Sequence, residues 1–116
     1  MTLYTGCFSR REIAEFVPPE FSLLVCIFDP HTQVPTTQQG WRDRLFVSFH
    51  DVSMDYYGSR SAQRVYQVAS PEDIQEIYEF TVGACYDYHI FASCEAGISR
   101  SAAVREFLVR NGWELH

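Results

Sequence analysis

The sequence of 116 residues predicts an α/β fold, a small and mostly parallel sheet flanked by helices. Three observations predict it. Phe21 to Phe28 is an almost unbroken apolar run, the pattern of a strand covered on both faces. Helix-start signals at Ser9 and Ser70 alternate with strand-like segments, so consecutive strands are joined by crossovers. Hydrophobic residues make up 47% of the chain and aromatics 16%, enough to bury a core and to exclude a disordered polypeptide.

Thr2 to Thr5 is a short β-prone start. Ser9-Arg-Arg-Glu12 reads as a capping box, with the serine hydroxyl accepting from a first-turn amide while the glutamate reaches back. It predicts a helix over 10–17 that Pro18-Pro19 stops. The apolar strand 21–28 ends at Asp29-Pro30, and 31–43 is polar loop. Residues 44–50 form the next strand, with Leu45, Val47 and Phe49 on one face. A second loop carries Asp51 and Asp55, and its stretch 54–61 is a candidate lid. Ser70-Pro71-Glu72-Asp73 begins a helix with proline at the first helical position and acids in the first turn. Ile74, Ile77, Tyr78 and Thr81 share its expected inner face. A strand over 88–92 follows, then a helix over 101–110 with Ala103, Val104, Phe107 and Leu108 expected inward and Asn111-Gly112 as the stop. No repeat, low-complexity tract or linker divides residues 1–116, so they are read as one domain.

Nine basic against fifteen acidic side chains give a net charge of −6, which argues against a broad surface for DNA or an anionic membrane but permits a local positive pocket. The chain has no apolar run near the ~20 residues of a membrane span and no export signal, so a soluble cytoplasmic protein is expected. Cys7, Cys26, Cys85 and Cys94 then read as reduced thiols, Cys26 and Cys85 in the core. No His/Cys spacing suits zinc, and neither metal nor cofactor is expected. Trp41 and Trp113 read as packing residues.

The segment with chemistry is Ser93-Cys94-Glu95-Ala96-Gly97-Ile98-Ser99-Arg100-Ser101, which joins the last predicted strand to the last helix. In parallel sheets ligands bind at the carboxyl ends of strands. A five-residue loop there can turn the backbone amides of Glu95, Ala96, Gly97, Ile98, Ser99 and Arg100 toward one anion, above the positive end of the helix. The same field lowers the pKa of a thiol, making Cys94 a candidate nucleophile. Arg100 supplies a planar fork for two phosphate oxygens. Gly97 permits the sharp turn, and Ser101 can donate to the thiolate.

This stretch resembles the signature of the cysteine-dependent protein tyrosine phosphatases, Cys-x5-Arg followed by Ser or Thr, and CEAGISRSAAV is similar to bacterial and phage members of their dual-specificity-like group. Val25-Cys-Ile-Phe-Asp-Pro30 and Leu45-Phe-Val-Ser-Phe-His-Asp51 resemble two further landmarks of that group, in the same order. The resemblance implies a tyrosine-phosphatase-like fold that hydrolyses phosphate monoesters, phosphotyrosine first and with dual specificity as the wider case. It implies Cys94 as nucleophile, Arg100 as clamp, Ser101 as partner of the thiolate and Asp51 as general acid and base, with Asp55 in reserve. The residue before the nucleophile, usually histidine in that family, is Ser93. Relatives generally continue past the last helix, so the resemblance implies a C-terminally abbreviated version whose uncovered face is a candidate homodimer surface. The expected partner is a phosphorylated protein or a small phosphate monoester. The alternative is a phosphate-recognising module, weak in catalysis, that sequesters a phosphorylated partner or signalling molecule.

Overall fold

In the computed structural model, which describes residues 2–50, 69–84 and 87–116, the chain runs β1 (Tyr4–Ser9), α1 (Arg10–Glu15), β2 (Ser22–Phe28) and β3 (Asp43–Ser48). There follow α2 (Pro71–Phe80), a short 3-10 turn (Val82–Ala84), β4 (His89–Cys94), α3 (Arg100–Arg110) and β5 (Glu114–Leu115). The five strands form one sheet in the order β3-β2-β4-β1-β5, and every pairing is parallel. The α/β class expected from the sequence is therefore the class observed. No helix among the described residues is long and apolar enough to cross a membrane.

Side-chain alternation along the strands sorts the core into two layers. Leu23, Val25 and Ile27 of β2 and Ile90, Ala92 and Cys94 of β4 face Ile77 of α2 and Val104 and Leu108 of α3. Leu24, Cys26 and Phe91 face Ile13 of α1, with Phe8, Phe16 and Trp41 packed around them. β2 and β4 are thus covered on both sides, which explains why β2 reads as a continuous apolar run. A helix as short as α1 has little stability of its own. It is held by its Ser9 cap, whose hydroxyl accepts from Glu12 N at 3.1 Å while Glu12 Oε1 accepts from Ser9 N at 2.9 Å. It is also held by Ile13, fully buried, a kind of residue whose truncation to alanine costs about 2–5 kcal/mol. The helix start expected at Ser70 is capped in the same way, with Asp73.

Several expectations need correction. β1 is not Thr2 to Thr5 but runs to Ser9, because pairing with β4 on one edge and β5 on the other extends a segment whose own pattern is weak. α1 stops at Glu15, and Val17 is exposed. β5 has only two residues, too few for a periodic signal. Of the four residues expected inward on α2 and its cap, Ile77 and Thr81 are buried, while Ile74 and Tyr78 are 56% and 49% exposed. On α3 Val104 and Leu108 are buried, but Ala103 and Phe107 are exposed. The apolar stripe on each helix is wider than the face that the sheet can cover. Trp113 packs as expected, its Nε1 donating to the Tyr88 carbonyl at 2.9 Å. Asp51, Asp55, Cys85 and the candidate lid lie outside the described residues.

Candidate functional site

β4 is the central strand, and its last residue, Cys94, is 2% exposed on the face shared with α3. Residues 95–99 turn the chain from that strand into α3. The turn requires glycine at Gly97, which has φ +73°; a Cβ there would lie 2.4 Å from Ser9 N and 2.7 Å from Phe8 C. Both atoms are backbone at the end of β1, so no side-chain rearrangement relieves the overlap. The loop is pressed onto its neighbouring strand and kept narrow.

That compression gathers donors around one sulfur. Gly97 N lies 3.2 Å and Ser101 Oγ 3.1 Å from Cys94 Sγ. Burial pushes the Cys94 thiol up, but hydrogen bonds from the Ser101 hydroxyl and from the amides of Ser101, Gly97 and Ser99 outweigh it and hold the thiol below its ordinary range. The loop and the first turn of α3 thus direct amides at Cys94, an arrangement that favours an anion at a helix N-terminus.

Arg100 begins α3 with its side chain 9% exposed. Nη1 donates to Asp29 Oδ1 at 2.7 Å and to the Phe49 carbonyl at 2.6 Å, which ties the guanidinium to the carboxyl ends of β2 and β3. Nε is buried and meets no acceptor. A buried donor left unpaired costs about 1–3 kcal/mol, and an anion oxygen would relieve that cost. One edge of the fork is anchored, while Nε is left without a partner.

Glu95 contributes more than the amide expected of it. Its Oε1 accepts from Arg10 Nη1 at 3.1 Å and from Asp29 N at 3.2 Å, while its carbonyl accepts from Arg10 N at 3.3 Å. The loop is thereby fastened to the chain leaving β1 and to the chain leaving β2. On the β1 side Cys7 Sγ lies 3.6 Å from the Gly97 carbonyl and accepts from Arg105 Nη1 at 3.1 Å. Ala96, Ile98 and Ser99 form the exposed rim, with Ile98 77% exposed. Ser93 faces the opposite layer beside its register partner Cys26, a buried thiol that burial pushes up and the Ser93 hydroxyl partly offsets.

Of the residues singled out in the sequence, Cys94, Gly97, Ser99 and Ser101 meet at the sulfur and Arg100 stands at the start of the same helix. Asp51 falls outside the description. Sequence reasoning assigned no role at the site to Arg10, Cys7 or Arg105, and gave Asp29 only the end of a strand. The available signal for Asp29 was a carboxylate at the carboxyl end of a strand in a parallel sheet. In comparisons with known proteins, no family model, no curated sequence and no solved structure matches this chain.

Proposed function

We propose that this chain is a cysteine-dependent phosphatase acting on phosphate monoesters, of the tyrosine-phosphatase-like kind that the Cys94 to Ser101 motif resembles. The observation that carries the reading is the convergence of the Ser101 hydroxyl and three amides on a thiol held below its ordinary range, next to a buried arginine with an unpaired Nε. These features suit a nucleophilic thiolate and a doubly charged oxyanion held side by side.

In this reading Cys94 Sγ attacks phosphorus, an S–P bond forms, and the P–O bond to the alcohol or phenol breaks. The leaving oxygen takes a proton from a general acid, the role that the resemblance gives to Asp51. Water, deprotonated by the same carboxylate, then attacks the cysteinyl-phosphate; the S–P bond breaks and Ser101 receives the thiolate by hydrogen bonding. Loop amides and Arg100 share the charge that builds on the equatorial oxygens. Phosphotyrosine is the first substrate to test, with phosphoserine and phosphothreonine as the wider case.

The purified protein should release phosphate from p-nitrophenyl phosphate and be inhibited by vanadate. Cys94→Ser should abolish turnover while leaving phosphate binding in place. Asp51→Ala should slow turnover by about 10²–10⁴-fold, most for esters with poor leaving groups. A Cys94→Ser variant as active as the parent would overturn the mechanism. The second reading, a phosphate-recognising module, is favoured by one observation: the carboxylate in contact with Arg100, Asp29, is taken up in an ion pair with that guanidinium at 2.7 Å. Phosphopeptide binding without turnover from about pH 5 to pH 8 would select it.

A further inference from the structure

The apolar residues that α2 and α3 fail to bury do not scatter over the surface. Ile74 and Tyr78 of α2 and Ala103 and Phe107 of α3 line a single groove of about 460 Å³ between the two helices, floored by Val104 and Ile77. That volume is within the range of sites for small organic ligands, about 300–1,000 Å³. At one end the groove reaches Ile27, Phe49, Ser99 and Arg100. Ser99 and Arg100 are also the last residues of the candidate phosphate loop, so anion site and groove are continuous through them.

This junction limits what the groove can hold. Arg100 at its end is nine-tenths buried with an unpaired Nε, which calls for an anion. The rest of the lining is hydrocarbon and aromatic and offers an extended ligand little to bond with. The complement is a ligand with a phosphate head and an apolar tail. A partner helix laid in the groove would match the apolar walls but bring no anion to Arg100.

We propose that the groove between α2 and α3 is the leaving-group subsite, and that the preferred substrates are amphiphilic phosphate monoesters, esters of alcohols with an extended hydrocarbon chain. This assignment rests on the phosphatase reading above and specifies its substrate class. The head lies against the Cys94 loop and Arg100, and the chain runs past Ser99 between Ile74, Tyr78 and Phe107. Each methylene that leaves water in the groove raises kcat/KM by about twofold, half the full worth of one buried methylene.

The test compares methyl, butyl and octyl phosphate as substrates, below the aggregation concentration of the octyl ester, with p-nitrophenyl phosphate as reference. Methylphosphonate and octylphosphonate serve as binding probes in calorimetry. The proposal expects octyl phosphate to exceed methyl phosphate by about 100-fold in kcat/KM, and octylphosphonate to bind tighter in the same proportion. Phe107→Gln and Ile74→Gln, both at exposed positions, should reduce that preference at least tenfold; a preference retained in both variants overturns the subsite. Turnover of p-nitrophenyl phosphate with a flat response to chain length overturns the subsite alone. A phosphotyrosine peptide with apolar flanking residues that outperforms octyl phosphate also overturns it, and makes the groove a peptide subsite. Absence of turnover together with absence of phosphonate binding overturns both the subsite and the phosphatase reading. Absence of turnover with the octyl preference retained in binding supports the groove and moves the site to the binding-module reading.

Discussion

Ser101→Ala isolates the interaction on which thiol activation depends. Its hydroxyl lies 3.1 Å from Cys94 Sγ, and the residue is fully buried, so alanine removes one oxygen and leaves the helix and its amide in place. A hydrogen bond to a charged group is worth about 1.5–3 kcal/mol, so the variant holds roughly 10- to 150-fold less thiolate at a pH below its titration. Reactivity falls less than that, because a more basic thiolate is a better nucleophile with a Brønsted slope of about 0.45. Alkylation on the rising limb of the pH profile should therefore slow by about 4- to 16-fold, and the limb should move toward higher pH. The assay is the rate of iodoacetamide labelling of Cys94, followed by mass spectrometry from about pH 4 to pH 9. Stability provides a second reading of the same bond. The folded thiol lies below its ordinary range, so it contributes stability that is complete above the unfolded chain's thiol pKa and lost as pH falls through the folded one. Ser101→Ala should flatten that dependence. An unchanged alkylation profile would refute the claim that this hydroxyl holds the thiolate.

Two further substitutions test how the loop and its arginine are fixed. Asp29→Asn loosens Arg100 at an ion pair that is buried on the arginine side and 38% exposed on the aspartate side, so urea unfolding should report a loss of about 1–2 kcal/mol, between the buried and surface cases. Removing a negative charge by itself favours an anion; vanadate inhibition weakened by about tenfold would show that orientation dominates, and unchanged or stronger inhibition would show that it does not. Gly97→Ala places a Cβ 2.4 Å from Ser9 N at φ +73°, combining the left-handed penalty of about 1–2 kcal/mol with a backbone overlap. The expected loss is about 3 kcal/mol or more, with loss of Cys94 reactivity, read by thermal unfolding and alkylation; a variant of parental stability would mean that the loop is not pressed on β1.

The sheet and the loop were legible because each rests on local chemistry. An apolar run, a capping box, a proline-led helix start and a glycine between a cysteine and an arginine each impose one conformation within a few residues. Less legible was everything that depends on which strands become neighbours. Nothing near Glu95 in sequence tells that its carboxylate will bond to Arg10 and to the amide of Asp29, because β1 and β2 flank β4 only in the folded sheet. Helical periodicity placed Ile74, Tyr78, Ala103 and Phe107 on the inner face, where the structure leaves them exposed. It carries no information on how close two helices approach on a sheet, and that spacing turned an expected core into a groove.

The parallel register also explains how a serine can stand before the cysteine. Adjacent residues of β4 face opposite layers, so Ser93 lies against Cys26 on the α1 side while Cys94 faces α3. In the family that the motif resembles, a histidine at that position helps to fix the loop and tune the thiol. Here the loop is fastened from its other flank. Ser9 is the register partner of Cys94, which brings Arg10 to the carbonyl and carboxylate of Glu95, and β2 ends where the amide of Asp29 meets the same carboxylate. The thiol is tuned from the start of α3, through Ser101, and from the amides of Gly97 and Ser99 in the loop before it. With anchoring supplied by β1 and β2 and tuning by α3, residue 93 need only fill the space beside Cys26, and a small side chain does so without displacing it.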